Sequence, residues 1–312
     1  MGVEVSFCVV NTEQRELLLR GLDAIAREQA ALPFESEVLV LDNASRDGSA
    51  EAAAAHPAVT EVLRLTRRRG KAENDSEVLG RAHGRFLLML NEDSELLPGA
   101  TAALHAALES HPRAAAAGAA LLRPDGRPQP SAWRFPGPRA ALLTALMLHR
   151  RLVVQSGGGT AVREVDWAQS AALMVRAQAG RAVGWLDPAF FVYSDEVDFC
   201  KRLRDAGWTV LHVPAARAVH HEQLSTGAVP RRRIVEMSRN RDRYMRKHHS
   251  APAALAVRGL TALAYAGRAA AALVLPGHDP RRYLVHVRAS LWPGRGEGLR
   301  EAAEAFNRSH AT

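Results

Sequence analysis

Five short polar stretches carry the residue types that could do chemistry. Asn91-Glu92-Asp93-Ser94-Glu95 follows directly on the apolar run Phe86-Leu87-Leu88-Met89-Leu90. A carboxylate at the end of a buried strand can hold a hard divalent cation through oxygen, and the cation can bridge a diphosphate. The same stretch would also serve as a solvated acidic turn. Tyr193-Ser194-Asp195-Glu196-Val197-Asp198 sets three carboxylates in four positions. Like charges this close raise one another's pKa, which suits a general base, although a helix N-terminus equally welcomes acids. Adjacent side chains diverge in a strand or at the start of a helix, so only one of Asp195 and Glu196 is expected to face a substrate hydroxyl. His220-His221 ends an apolar run, and one imidazole there could complete a metal site with Asp93. The 42–47 stretch, Asp42-Asn43-Ala44-Ser45-Arg46-Asp47, offers groups for a base or ribose, or an ordinary Asx turn before a helix. Arg67-Arg68-Arg69-Gly70-Lys71 could meet a diphosphate or be a solvated face.

Positioning these residues falls to an alternating series of strand and helix signals. Residues 5–10 read as a buried strand, and 16–30 place Leu17, Leu18, Leu22 and Ile25 at helical spacing. Val38-Leu39-Val40-Leu41 reads as a second strand, ended by a turn that can cap a helix near Gly48. A third strand at 62–65, a helix at 75–83 and a fourth, fully buried strand at 86–90 follow. This alternation implies an α/β fold with a mainly parallel sheet flanked by helices, whose ligands sit at the strands' carboxyl ends. Residues 124–138 are rich in Pro, Arg and Gly, and Ser156-Gly157-Gly158-Gly159 is a breaker; a short apolar helix lies between, around 140–148. Regular structure resumes at 167–176, with a strand at 190–193, a helix at 196–206 ended by Gly207, and a strand at 209–213.

The 312 residues suffice for one large core with an appendage. Cys8 and Cys200 offer neither a disulfide framework nor a metal-ligand spacing, and the N-terminus has no secretory pattern, so a cytoplasmic setting is expected. The formal charge of +8 is unevenly spread: 16 Lys and Arg stand against 6 Asp and Glu in 230–312, and 25 against 27 in 1–229. The basicity therefore belongs to the tail, which points to an anionic surface as its partner. No aromatic residues interleave with those arginines as a nucleic-acid stacking platform requires, which argues against nucleic acid.

In chain order, Val5-Ser6-Phe7-Cys8-Val9-Val10, Val40-Leu41-Asp42-Asn43-Ala44-Ser45, Leu90-Asn91-Glu92-Asp93-Ser94, Phe190 through Cys200 and Val219-His220-His221 together resemble family 2 glycosyltransferases. The rhamnosyltransferase-like branch is nearest in flavour, and the resemblance spans roughly residues 3–250. It implies a GT-A fold over 1–229, with a nucleotide-sugar half at about 1–100 and an acceptor half at about 101–229, followed by a basic helical extension over 230–312. It also implies inverting transfer of a sugar from a nucleoside diphosphate sugar to a hydroxyl acceptor, assisted by Mg²⁺ or Mn²⁺. Cell-surface polysaccharide or glycolipid synthesis is the implied setting.

Carried over by position, Asp42 contacts the base or ribose, with Asn11, Asn43 and Lys71 as further substrate contacts. Asp93 becomes the metal-binding acid of a DXD-like motif with Asn91 at its first position, and His220 assists metal and diphosphate. Glu196 stands at the acceptor-activating carboxylate with Asp195 beside it, and Trp167 falls in the segment lining the acceptor. The chain departs from the family pattern at Asn11-Thr12-Glu13, at Glu92, in the order Asp195-Glu196 and at Ser170. Those departures keep open a non-catalytic nucleotide-sugar-binding domain of the same fold. The tail, with Arg231-Arg232-Arg233, the 239–247 cluster and the interrupted apolar stretch 251–275, reads either as interfacial helices on an anionic membrane or as a lid packed on the body.

Overall fold

Three runs of apolar residues, long enough for a strand and too short for a helix of their own, build the centre of the molecule. In the computed structural model, which describes residues 2–222, 230–275 and 279–310, these are β1 (Val5–Asn11), β2 (Ser36–Asp42) and β4 (Phe86–Asn91), almost wholly buried. Between them lie α1 (Arg15–Ala31), α2 (Ser49–Ala54), β3 (Glu61–Arg64) and α3 (Lys71–Arg81). The chain continues through β5 (Ser94–Leu96), α4 (Ala100–Ser110), β6 (Ala114–Leu122), β7 (Pro128–Gln129), β8 (Ala132–Trp133), α5 (Pro138–Ala145) and α6 (His149–Leu152). Then come β9 (Arg163–Val165), β10 (Trp167–Ala168), β11 (Ala172–Arg176), α7 (Ala177–Val183), α8 (Asp195–Asp205) and β12 (Thr209–His220). The tail forms α9 (Pro230–His248), α10 (Ala251–Ala271), α11 (Pro280–Leu291) and α12 (Leu299–Ser309). The expected division at 229 lies outside the described residues.

The main sheet runs β3-β2-β1-β4-β11-β6-β12-β5. Its first four strands are parallel, and of these β1, β2 and β4 are buried on both faces while β3 is an exposed edge. Beyond β4 the sheet is mixed: β11 is antiparallel to β4 and β6, while β12 is parallel to β6. One apolar cluster fills each face, and Val9 and Val40 belong to one while Cys8 and Leu39 belong to the other. That alternation is the period of two expected of a strand covered on both sides.

One expectation needs correction. Residues 190–193 form no strand but a series of bends leading to α8, with Tyr193 (φ 69°) and Ser194 (φ 63°) both left-handed. The aromatic run is explained by packing: Phe190 is fully buried against Val197, Tyr244, Met245, Ala254 and Val257, a third cluster made jointly with α9 and α10. The tail's basic cluster, which the sequence leaves open between a membrane surface and a lid, is largely paired within the protein. Lys247 pairs with Asp187 (2.6 Å) and Asp198 (2.8 Å), Arg246 with Asp242 (2.9 Å), and Arg239 with Glu236 (3.2 Å) and Glu301 (2.9 Å). Asn240 adds a hydrogen bond from its Nδ2 to the Val192 carbonyl (2.8 Å), so α9 is packed on the body.

Candidate functional site

A cleft of about 480 Å³ opens where β1, β2 and β4 end. Non-glycine residues in the left-handed region gather around it, at Glu13, Ala44, Tyr193, Ser194 and Glu222. Such backbone strain concentrates at binding and catalytic sites.

Asp93 lines the cleft although only 3% exposed, and its Oδ1 lies 3.3 Å from Nε2 of His220, which ends β12. The backbone fixes this meeting, because the His221 N–H donates to the Asp93 carbonyl (3.0 Å) and His220 pairs with Ser94 across β12 and β5. Gln129 holds the other face of the imidazole: its Nε2 lies 3.1 Å from His220 Nδ1 and donates to Glu222 (2.9 Å). Asn91 is 3.5 Å from His220 through its Nδ2. Asp93 Oδ2 and Asn91 Oδ1 are buried without a hydrogen-bond partner. Among the described residues no group of three His, Cys, Asp or Glu side chains forms a closed metal cage.

Asp195 and Glu196 begin α8, and both line the cleft. The two acids are close enough in charge and space for Asp195 to act on Glu196, and Asp195 Oδ2 is buried without a hydrogen-bond partner. Burial first, and the charge of Asp195 second, push the Glu196 pKa well above the ordinary carboxylate range, against the pull of Lys71. Burial and the neighbouring Asp93 likewise push Glu92 up to about 8. Asp198, the third acid of the cluster, does not line the cleft. It is fully buried and held by Arg202 (2.8 Å), His248 (2.7 Å) and Lys247 (2.8 Å), so it ties α8 to the tail.

Lys71 reaches the cleft from the first turn of α3, with Nζ donating to Asp75 (2.5 Å) and Ser170 (3.3 Å). Burial disfavours its charge, but Asp75 and then Asp195 outweigh this and hold its pKa above the usual lysine value. Gly70 allows the approach, since a Cβ there would meet the Phe191 carbonyl at 2.8 Å. Asn74, one turn on, is fully buried at the cleft wall with both amide atoms unpartnered. An orphaned buried amide costs about 1–3 kcal/mol, which a ligand hydroxyl, donor and acceptor at once, would offset.

Other expected residues are placed differently. Asn43 touches the cleft, but its amide is occupied by Thr12 (3.2 Å), the Arg69 carbonyl (3.2 Å) and the Arg69 N–H (2.8 Å), so it clasps three strand-end loops together. Asn11 and Asp42 do not line the cleft: Asn11 Nδ2 donates to Asp42 (2.9 Å), whose other oxygen accepts the Ser45 N–H (2.9 Å). Trp167 is also off the cleft, stacked on Trp133 (4.5 Å) with its indole N–H on the Arg134 carbonyl (3.1 Å). Gln169 and Ser170, two and three residues further, line the wall instead. Gln129 and Asn74 carry no sequence signal, being lone amides in a Pro-Arg-Gly stretch and in a helix. Arg232, Arg233 and the α12 residues Leu299, Ala302, Ala303 and Phe306 complete the wall from the tail.

Comparison with known proteins gives three findings. The sequence profile described as Glycosyl transferase family 2 matches residues 6–162. The N-acetylglucosaminyl-diphospho-decaprenol L-rhamnosyltransferase of Mycobacterium tuberculosis is 30% identical over 258 residues, covering 72% of this chain and 81% of that protein. Among solved structures, the Pyrobaculum calidifontis mannosyltransferase in complex with GDP-Man and Mn²⁺ matches with a TM-score of 0.57 at 18% identity, over 99% of this chain and 84% of that one. GalNAc-T7 with UDP, GalNAc and Mn²⁺ matches with a TM-score of 0.60 at 14% identity, over 99% of this chain and 58% of that one.

Proposed function

Since the chain belongs to glycosyltransferase family 2 and is a rhamnosyltransferase-like GT-A enzyme, we propose that its cleft takes a nucleoside diphosphate sugar and transfers the sugar, with inversion, to a hydroxyl of a lipid-linked saccharide. The observation that carries this is the single cleft joining Asp93 and His220 to the raised-pKa Glu196. Glu196 takes the acceptor proton as the acceptor oxygen bonds to the anomeric carbon. The bond from that carbon to the phosphate oxygen breaks, and the nucleoside diphosphate leaves. Lys71, with its charge secured by Asp75 and Asp195, faces the departing phosphates, and the Asn74 amide takes a sugar hydroxyl. The charge of Asp195 beside Glu196 keeps the base's proton affinity high.

The unpartnered Asp93 Oδ2 and Asn91 Oδ1 beside His220 suit a hard cation whose remaining ligands are phosphate oxygens. Mg²⁺ or Mn²⁺ held there would neutralise charge developing on the leaving group. Chelation, or Asp93→Ala with an unchanged Tm, is expected to abolish transfer and to weaken nucleoside diphosphate binding measured by calorimetry. Undiminished transfer in excess chelator would remove the cation from the reaction.

The lipid-linked acceptor is the kind named by the mycobacterial relative, and one surface of this chain suits a peripheral place at a membrane's inner face. No described helix is long and apolar enough to cross a membrane. Helices α5 and α6 nevertheless bury none of their residues, and Leu142, Leu146, Met147 and Leu148 stand exposed. The adjoining α10 exposes Leu255 and Leu263, and Arg268 of α10 reaches Met147 (3.7 Å). No acidic residue occurs between Asp125 and Glu164 or between Asp242 and Asp279. Exposed apolar residues set among arginines are the composition of an interfacial surface for anionic lipid.

A further inference from the structure

Helix α12 places Leu299, Ala302, Ala303 and Phe306 at the i, i+3, i+4, i+7 spacing of one apolar face. An amphipathic helix normally turns such a face into the core. Here only Leu299 is buried, and all four residues line the cleft. The helix is fastened to the loop after β3 by its next residue: Asn307 Oδ1 accepts the Arg68 N–H (2.7 Å) and Asn307 Nδ2 donates to the Arg68 carbonyl (2.9 Å). The Arg68 guanidinium lies 3.6 Å over the Phe306 ring and pairs with Glu13, while its buried Nε has no hydrogen-bond partner. Helix, ring and arginine thus face Thr12, Glu13 and Asn43 at the β1–β3 end of the sheet, on the far side of the cleft from the β12 residue His220.

We propose that α12 is the outer wall of the donor's nucleoside subsite: its apolar face packs on the nucleoside, and Phe306 with Asn307 positions Arg68 so that its free donor serves the same ligand. The inference rests on the nucleoside diphosphate reading above. A diphosphate gathered at Asp93 and His220 leaves the β1–β3 end for the nucleoside, and an apolar wall with one orphaned N–H matches a base and ribose rather than a further phosphate. Asn307 is a positioning residue in this arrangement, while Phe306 both meets the nucleoside and holds Arg68.

Calorimetric titration of the full chain with UDP, thymidine diphosphate and GDP in turn, each with Mn²⁺, tests it, with inorganic pyrophosphate and Mn²⁺ as the probe lacking a nucleoside. Phe306→Ala is expected to weaken the best of the three nucleotides about tenfold, to leave pyrophosphate binding unchanged, and to be restored by Phe306→Tyr. Ala303→Trp, which fills the cleft from the same face, is expected to do likewise and stands in if Phe306→Ala does not fold. Equal nucleotide affinity in wild type and these variants would overturn the proposal, as would parallel loss of pyrophosphate binding. Absence of nucleotide binding in the wild type would instead overturn the donor assignment on which it rests.

Discussion

At the scale of single residues, the cleft is organised by groups left in states that water would not tolerate. Glu196 is the clearest case, an acid whose ionisation is opposed by burial and by Asp195. A base works only when ionised, so transfer should rise with pH through a midpoint above the ordinary carboxylate range. The sign of the Asp195 contribution is fixed, because its removal eases ionisation of Glu196. Asp195→Asn is therefore expected to move the rising limb of the kcat profile to lower pH, whereas Glu196→Gln should lower turnover by about a hundredfold or more while still binding nucleotide. A limb that stays in place in Asp195→Asn would show that another group sets it. For stability the sign is opposite: a raised carboxyl pKa favours the fold at low pH, and that contribution is lost as pH climbs through the folded value.

At the scale of elements, α8 carries both the base and the anchor of the tail. Asp198 sits two residues from Glu196, fully buried among Arg202, Lys247 and His248, so the start of α8 is pinned to the end of α9. Asp198→Asn removes the charge that Arg202, Lys247 and the His248 imidazole share, and breaking a buried ion pair costs about 3 kcal/mol or more. Thermal denaturation is expected to show that loss, together with reduced turnover from a loosened α8; an unchanged Tm would mean the cations find other partners. Much of this was legible beforehand. The parallel strands and the polar turns after them follow from continuous β-branched and leucine runs that only a doubly covered sheet accommodates. β6 was not legible, because Ala114–Leu122 is mostly alanine, which expresses no strand preference. Tight approach explains its composition: a Cβ on Gly118 would lie 2.4 Å from that of Ala168. The acidic cluster gave Asp195 and Glu196 their place, but only tertiary packing could assign Asp198 to the tail and Trp167 to the back of the wall.

At the scale of the whole molecule, the uneven charge resolves into two uses. Lys247 and Arg243 of α9 bind the body while Arg232, Arg239, Arg241 and Arg246 are engaged within the tail, and the exposed apolar side chains collect instead on and beside α5, α6, α10 and α11, where acids are scarce. Leu146→Glu with Met147→Glu adds two charges to positions 58% and 65% exposed, so the fold should be little affected while sedimentation with phosphatidylglycerol vesicles falls several-fold. Equal sedimentation of wild type and double variant, or equal affinity for phosphatidylcholine vesicles, would remove this surface from membrane contact.

The wall supplied by α12 has a bearing on how the protein is made. The strands of the sheet are complete once His220 has been synthesised, yet the third apolar cluster waits for α9 and α10, and the cleft lacks one side until Phe306 has followed some 86 residues later. A nascent chain therefore passes through a long interval in which the sheet is formed and the wall proposed for the nucleoside is missing. Ribosomes that stop short of Leu299 would release a chain with every strand of the sheet and an open-sided cleft, in which the proposal for α12 predicts weak donor binding, and a bulky fusion placed soon after Ser309 would stand close to that wall.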